Sequence, residues 1–143
     1  MDNEPVIIER NLNAPAIKVW KALTSREQMV KWYFDIKEFK AEVGFEFQFE
    51  ATGKDNKRFV HLCKITEVIF CKKLTYSWRY EGYEGISYVT FELFAGGDNQ
   101  TRLKLTHTGL ETFPNTSDFA KQNFVEGWTF IIGKGLKEFL EKS

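Results

Sequence analysis

Leu74-Thr75-Tyr76-Ser77-Trp78-Arg79-Tyr80 carries a large apolar or aromatic side chain at every even position and a polar one between each pair. Successive side chains of a strand point to opposite faces, so this alternation predicts a strand with one dry and one wet face. Upstream, Phe45, Phe47, Phe49 and Ala51 alternate with Glu46, Gln48 and Glu50, which predicts a second such strand, closed by the turn Thr52-Gly53-Lys54-Asp55-Asn56. Between the two lies a long strand from Phe59 to about Phe70, where Val60, Leu62, Ile65 and Val68 do not share a parity. A bulge near Cys63 to Ile65 would reconcile them. Downstream, Val89, Phe91 and Leu93 share a parity, as do Leu103, Leu105 and His107 beyond the Gly96-Gly97-Asp98-Asn99 turn. Consecutive strands joined by tight polar turns predict an antiparallel meander.

The ends of the chain change period. Val6 to Leu12 is short and β-branched and is expected to be a first strand. A helix follows, with Asn13 as its cap, Pro15 in its first turn, and Ala16, Val19, Trp20 and Leu23 on one face. Ser25 to Gln28 fits a capping box, so a second short helix should run through Met29 toward Trp32. The C-terminus predicts a helix from about Ser117 to Lys142, with Phe124, Trp128, Ile131, Ile132, Gly135, Leu136 and Phe139 on one stripe. Gly135 costs about 1 kcal/mol of helix propensity there, which close approach to the sheet, or room for a ligand, would explain. Phe130 points nearly opposite the stripe and is the one ring expected outside the core. The order β-α-α-β6-α makes an α+β pair of layers, one long helix against one curved antiparallel sheet.

Composition narrows the function. The chain of 143 residues fits a single domain, 1–143, with enough residues to hold a core without a metal or disulfide. Lys plus Arg number 20 and Asp plus Glu number 20. That balance argues against nucleic acid as a partner and against an anionic membrane surface. No run of apolar residues is long enough for membrane insertion, and the start MDNEPVIIER lacks the regions of a signal peptide, so a cytoplasmic location is expected. Two cysteines without CxxC spacing and two histidines make a metal site unexpected, and no cofactor motif is found. The aromatic share is unusual, with 14 Phe, 5 Tyr and 4 Trp. These rings fill a thick core, line a cavity or cover a partner surface.

With the elements placed, Arg10-Asn11-Leu12-Asn13-Ala14-Pro15, then Val19 to Thr24 and Trp32, resemble the opening of the SRPBCC superfamily, also called START-like or helix-grip and including the Bet v allergens. The closest branch is activator of HSP-90 ATPase homologue-like. Gly44-Phe45-Glu46-Phe47, Glu67-Val68, Leu74 to Trp78, Val89-Thr90-Phe91, Thr101-Arg102-Leu103, His107-Thr108-Gly109 and Gly127-Trp128 carry the likeness on to Leu140. The resemblance implies a helix-grip fold: about seven antiparallel strands wrapped around a long C-terminal helix, with an interior apolar cavity that in many relatives binds lipids, polyketides or other hydrophobic molecules. Cys63 stands near a position where the branch usually has glycine, and Phe70-Cys71 replaces a usual prolyl pair. The branch is named for a eukaryotic co-chaperone, and the name does not carry its activity over.

Catalytic constellations are weak. Cys63 and His61 share a strand face but have no orienting partner, and Glu46, Glu50 and Glu92 fall on the wet face. His107 faces inward, either as a hydrogen-bonded core residue or as a ligand contact or general base. Arg10, on the parity of Ile8 and Leu12, reaches Asp35 or Glu38, or an acidic ligand head. No glycine turn precedes a helix in the manner of a phosphate cradle. The preferred reading is a non-catalytic site for a hydrophobic or aromatic small molecule between sheet and helix, lined by Trp32, Phe47, Phe49, Tyr76, Trp78, Tyr80, Phe91, His107, Trp128 and Ile132. The alternatives are a chaperone or homodimer contact through Phe130, Tyr80 and Tyr83, and a cavity-based cyclase or hydrolase in which His107 carries the proton.

Overall fold

Strands β1 (Val6–Leu12), β2 (Glu46–Thr52), β3 (Arg58–Ile69), β4 (Lys73–Tyr80), β5 (Ser87–Ala95) and β6 (Thr101–Thr108) follow the alternation closely. In β4, Leu74, Tyr76, Trp78 and Tyr80 are all buried, as are Val89, Phe91 and Leu93 of β5 and Leu103, Leu105 and His107 of β6. The computed structural model describes residues 4–53 and 56–142, so Lys54 and Asp55 of the β2–β3 turn lie outside the described residues.

The strands form one antiparallel sheet in the order β1-β6-β5-β4-β3-β2. Among the described residues it has six strands, not the seven of the helix-grip expectation. From Tyr33 to Phe45 the chain is irregular and anchored by side chains, with Ile36 and Phe39 buried and Arg26 Nε donating to the Ile36 carbonyl at 2.8 Å. The bulge in β3 lies between Ile65 and Glu67, slightly later than expected. Thr66 is the extra residue. It lets Phe59, His61, Cys63 and Ile65 share the dry face and then resets the parity.

Because β1 and β2 are the two edges, the connection between them must cross the sheet. It does so through helices α1 (Ala16–Thr24) and α2 (Arg26–Trp32). Pro15, not Asn13, is the N-cap of α1, and Ser25 caps α2 without a side-chain hydrogen bond, so neither expected cap is made by a side chain. Packing holds these helices instead. Val19, Trp20 and Leu23 are buried, and Trp32 Nε1 donates to the Ala22 carbonyl at 2.8 Å.

The C-terminal helix departs from the expected uniform α-helix. A 3-10 turn at Ser117–Phe119 leads into α3 (Lys121–Phe130), a π-helical segment (Ile131–Leu136) and α4 (Lys137–Lys142). In an α-helix, residues four apart drift about 40° around the axis. The wider π turn offsets that drift. The buried series is therefore Phe124, Trp128, Ile132, Leu136 and Leu140, with the expected Phe139 and Ile131 only half-buried. Gly135 does permit a close approach, but to a helix: a Cβ there would stand 3.1 Å from the carbonyl oxygen of Trp32 at the end of α2. Lys18 Nζ of α1 donates to the Leu140 carbonyl at 2.9 Å, placing a cation at the helix C-terminus, where the dipole favours it.

Candidate functional site

The long helix packs along β1, the edge of the sheet opposite β2. On the β2 side the two layers separate, and a cleft of about 650 Å³ opens there. Phe34, Phe59, Trp78, Tyr80, Phe124 and Trp128 provide its aromatic wall, with Phe130 and Ile131 on the helix side. His61, Ser117, Asp118, Asn123 and Glu126 supply polar atoms. Those on β3, β4 and α3 follow from their elements: the strands present every second side chain inward, and α3 presents two neighbouring faces, one apolar and one toward the mouth; Phe34 comes from the segment after α2, and Ser117 and Asp118 from the 3-10 turn.

Of the expected ligand contacts, Trp78, Tyr80 and Trp128 line this cleft. The structure places Trp32, Phe47, Phe49, Tyr76, Phe91, His107 and Ile132 in the packed core, outside its lining. Phe47 meets Tyr76 edge-on at 5.0 Å, and Phe91 meets Trp128 edge-on at 6.1 Å. Phe49, Phe34 and His61 form a triangle of near-parallel rings, with Phe49 4.3 Å from Phe34 and 4.4 Å from His61, so Phe49 backs the wall. Phe34, Phe59 and Asn123 were not among the expected contacts. Phe34 follows a helix end and has no periodic neighbours to assign it a face, whereas Phe59 shares the parity of His61 and Cys63 and could have been read from it.

His107 is fully buried, and both ring nitrogens are engaged. Trp128 Nε1 donates to its Nδ1 at 3.0 Å, which assigns the proton to Nε2; Nε2 then donates to Ser87 Oγ at 2.8 Å, and Ser87 donates onward to the Trp78 carbonyl at 2.9 Å. Burial lowers its pKa from 6.5 to about 3. This is the hydrogen-bonded core residue of the two expected readings, and a neutral ring with no free nitrogen is no near-neutral proton carrier.

His61 and Cys63 share the dry face as expected. Burial lowers the His61 pKa to about 4, opposed by the backbone carbonyls of Phe59 and Phe49, and burial pushes the Cys63 thiol well up. A nucleophilic cysteine needs the opposite shift. Tyr33 and Tyr76 join hydroxyls at 2.7 Å, and burial raises both.

Other expected surface features are revised. Tyr80 is only 6% exposed, so it belongs to the cleft wall and not to a docking loop. Phe130, 62% exposed with Lys134 Nζ 5.7 Å from its ring centroid, lies outside the core as expected, but Phe70 at 68% and, less so, Tyr83, Tyr88 and Phe94 do as well. Arg10 does not reach Asp35 or Glu38. Its Nη1 donates to the Glu9 carbonyl at 2.7 Å, and its Nε would be 3.3 Å from a Cβ at Gly133. Among the described residues no three His, Cys, Asp or Glu side chains gather as a metal site would require, and no helix is long and apolar enough to cross a membrane.

Comparison with known proteins agrees with this architecture. CV1439 from Chromobacterium violaceum superposes with a TM-score of 0.81 at 21% identity, covering 99% of both chains. CalU16 from Micromonospora echinospora gives 0.73 at 24% identity, over 95% of this chain and 75% of that one. DynU16, a protein in the dynemicin biosynthetic locus, gives 0.78 at 20% identity; this chain is covered over 99% of its length but spans only 48% of DynU16. These likenesses show the fold. No curated protein matches. The profile of the activator of Hsp90 ATPase homolog 1-like proteins matches residues 13–141, nearly the whole chain, and the chain belongs to that family, within the SRPBCC superfamily.

Proposed function

We propose that the protein binds a hydrophobic or aromatic small molecule, without transforming it, in the cleft between the β2–β4 side of the sheet and α3. The observation that carries this reading is the cleft itself: about 650 Å³ lined by seven Phe, Tyr and Trp rings, with a few polar groups among them. Small-molecule sites commonly occupy about 300–1,000 Å³ and combine apolar walls with a few placed polar groups. The neutral, saturated His107 and the high thiol pKa of Cys63 weigh against acid–base or nucleophilic chemistry by these two groups. The occurrence of a protein of the same fold in a biosynthetic locus is consistent with small-molecule handling. The test is an NMR screen with lipids, polycyclic aromatics and polyketides. Binding should shift the indole signals of Trp78 and Trp128; no change in either across the set would overturn the reading.

A further inference from the structure

We infer that the cleft recognises a neutral aromatic ligand through one phenolic or enolic hydroxyl, held between the Tyr80 hydroxyl as donor and His61 Nε2 as acceptor. The inference rests on the cleft reading above and names the ligand chemistry for that site.

Counting protons leads to it. Trp78 Nε1 donates to Tyr80 Oη at 2.9 Å. An indole N–H cannot accept, so the Tyr80 proton must go elsewhere. Among the described residues it has no acceptor, and Tyr80 lines the cleft. The phenol is buried, and its pKa is raised chiefly by that burial, so it keeps its proton.

His61 supplies the complement. Its Nδ1 lies 3.2 Å from the Phe59 carbonyl oxygen, which only accepts, so Nδ1 carries the proton. The depressed pKa keeps the ring neutral, leaving Nε2 with a lone pair. The Phe49 carbonyl also lies close to the ring and, like that of Phe59, only accepts. Nε2 makes no hydrogen bond within the protein, yet among the described residues no buried side-chain nitrogen or oxygen lacks a partner. Nε2 is therefore accessible, and His61 lines the cleft. The His61 and Tyr80 rings lie 4.8 Å apart, centroid to centroid, and edge to face. One donor and one acceptor on adjacent rings of the same wall match a hydroxyl, which offers both. A carbonyl or ether satisfies only Tyr80, and a carboxylate cannot donate to His61.

Charge points the same way. Asp118 and Glu126 are the charged groups on the described wall, and Lys57 Nζ lies 3.0 Å from Asp118. Among the described residues the wall holds no Lys or Arg to pair with an anionic head group.

The test is calorimetric or NMR titration of the wild-type protein with 2-naphthol, 2-methoxynaphthalene and 2-naphthoate, which share a ring system and differ in the polar group. 2-Naphthol should bind about tenfold more tightly than either, the difference expected for one satisfied buried hydrogen bond. His61→Leu should remove most of the preference over the methoxy ether while leaving the ether's own affinity within about twofold. Equal affinity for hydroxyl and ether, or tightest binding of the naphthoate, overturns the inference and leaves the cleft reading standing. Absence of binding by all three, with silent indole signals in the wider screen, overturns both.

Discussion

The indole Nε1–H of Trp128 donates to Nδ1 of His107 at 3.0 Å, joining the last turn of α3 to the end of β6 through two buried rings. The bond makes His107 a structural group whose neutral form belongs to the folded state. The same holds for His61. Below pH 6.5 the unfolded chain binds protons that the folded chain refuses until about pH 4 for His61 and pH 3 for His107. Stability from the two is therefore fully present above pH 6.5 and is lost as pH falls through that window, up to about 8 kcal/mol in total by pH 3. Proton NMR of the His107 ring should show no titration from pH 8 to pH 5. A midpoint near 6 would reject the buried hydrogen-bond assignment.

Two glycines of the same helix should respond oppositely to alanine. At Gly127 a Cβ meets nothing within 4 Å, so Gly127→Ala should stabilise by up to about 1 kcal/mol through helix propensity. At Gly135 a Cβ would be 3.1 Å from the Trp32 carbonyl, a backbone atom that cannot swing aside. Gly135→Ala should lose about 1–3 kcal/mol despite the better propensity. Urea midpoints decide it, and a Gly135→Ala protein as stable as Gly127→Ala would mean that α2 and the π segment do not need their close approach.

Why the sheet was legible and the helix only partly so follows from periodicity. The alternations of β4, β5 and β6 leave one assignment of faces, and the inward His107 came from parity alone. Ile131-Ile132-Gly133-Lys134-Gly135 carries no local signal that separates α from π, and what its glycines make room for, the Trp32 carbonyl and Arg10, is remote in sequence. The cleft was misplaced for a related reason. Parity says which rings face inward, but the divergence of helix from sheet decides which inward rings meet empty space. That divergence sits at the β2 side, so Trp78, Tyr80 and Trp128 line the cleft while Tyr76 and Phe91 are packed.

The two thiols should differ sharply in reactivity. Cys63 is buried on β3 with its pKa raised by desolvation, whereas Cys71 is half-buried at the β3–β4 turn. Iodoacetamide should give one adduct, at Cys71, under native conditions and two in denaturant. Alkylation of Cys63 requires the sheet to open, so it should be on the order of a thousandfold slower than that of Cys71. Comparable native rates, read by peptide mass spectrometry, would contradict the placement of Cys63 in a closed core.

The Tyr33–Tyr76 hydroxyl pair, 2.7 Å apart, offers a double-mutant cycle with a definite sign. Tyr33 follows α2 and Tyr76 lies in the middle of β4, so the bond ties the crossing segment to the sheet. Both hydroxyls are enclosed, and their pKa values are raised first by burial. Tyr76→Phe leaves the Tyr33 hydroxyl without its partner and should cost about 1–3 kcal/mol, with Tyr33→Phe in the same range. The double variant removes both polar groups from an apolar setting and should be more stable than the sum of the singles predicts, because an unmade buried hydrogen bond costs more than an absent one. Additive losses in chemical denaturation would show that the two hydroxyls are hydrated separately and not paired.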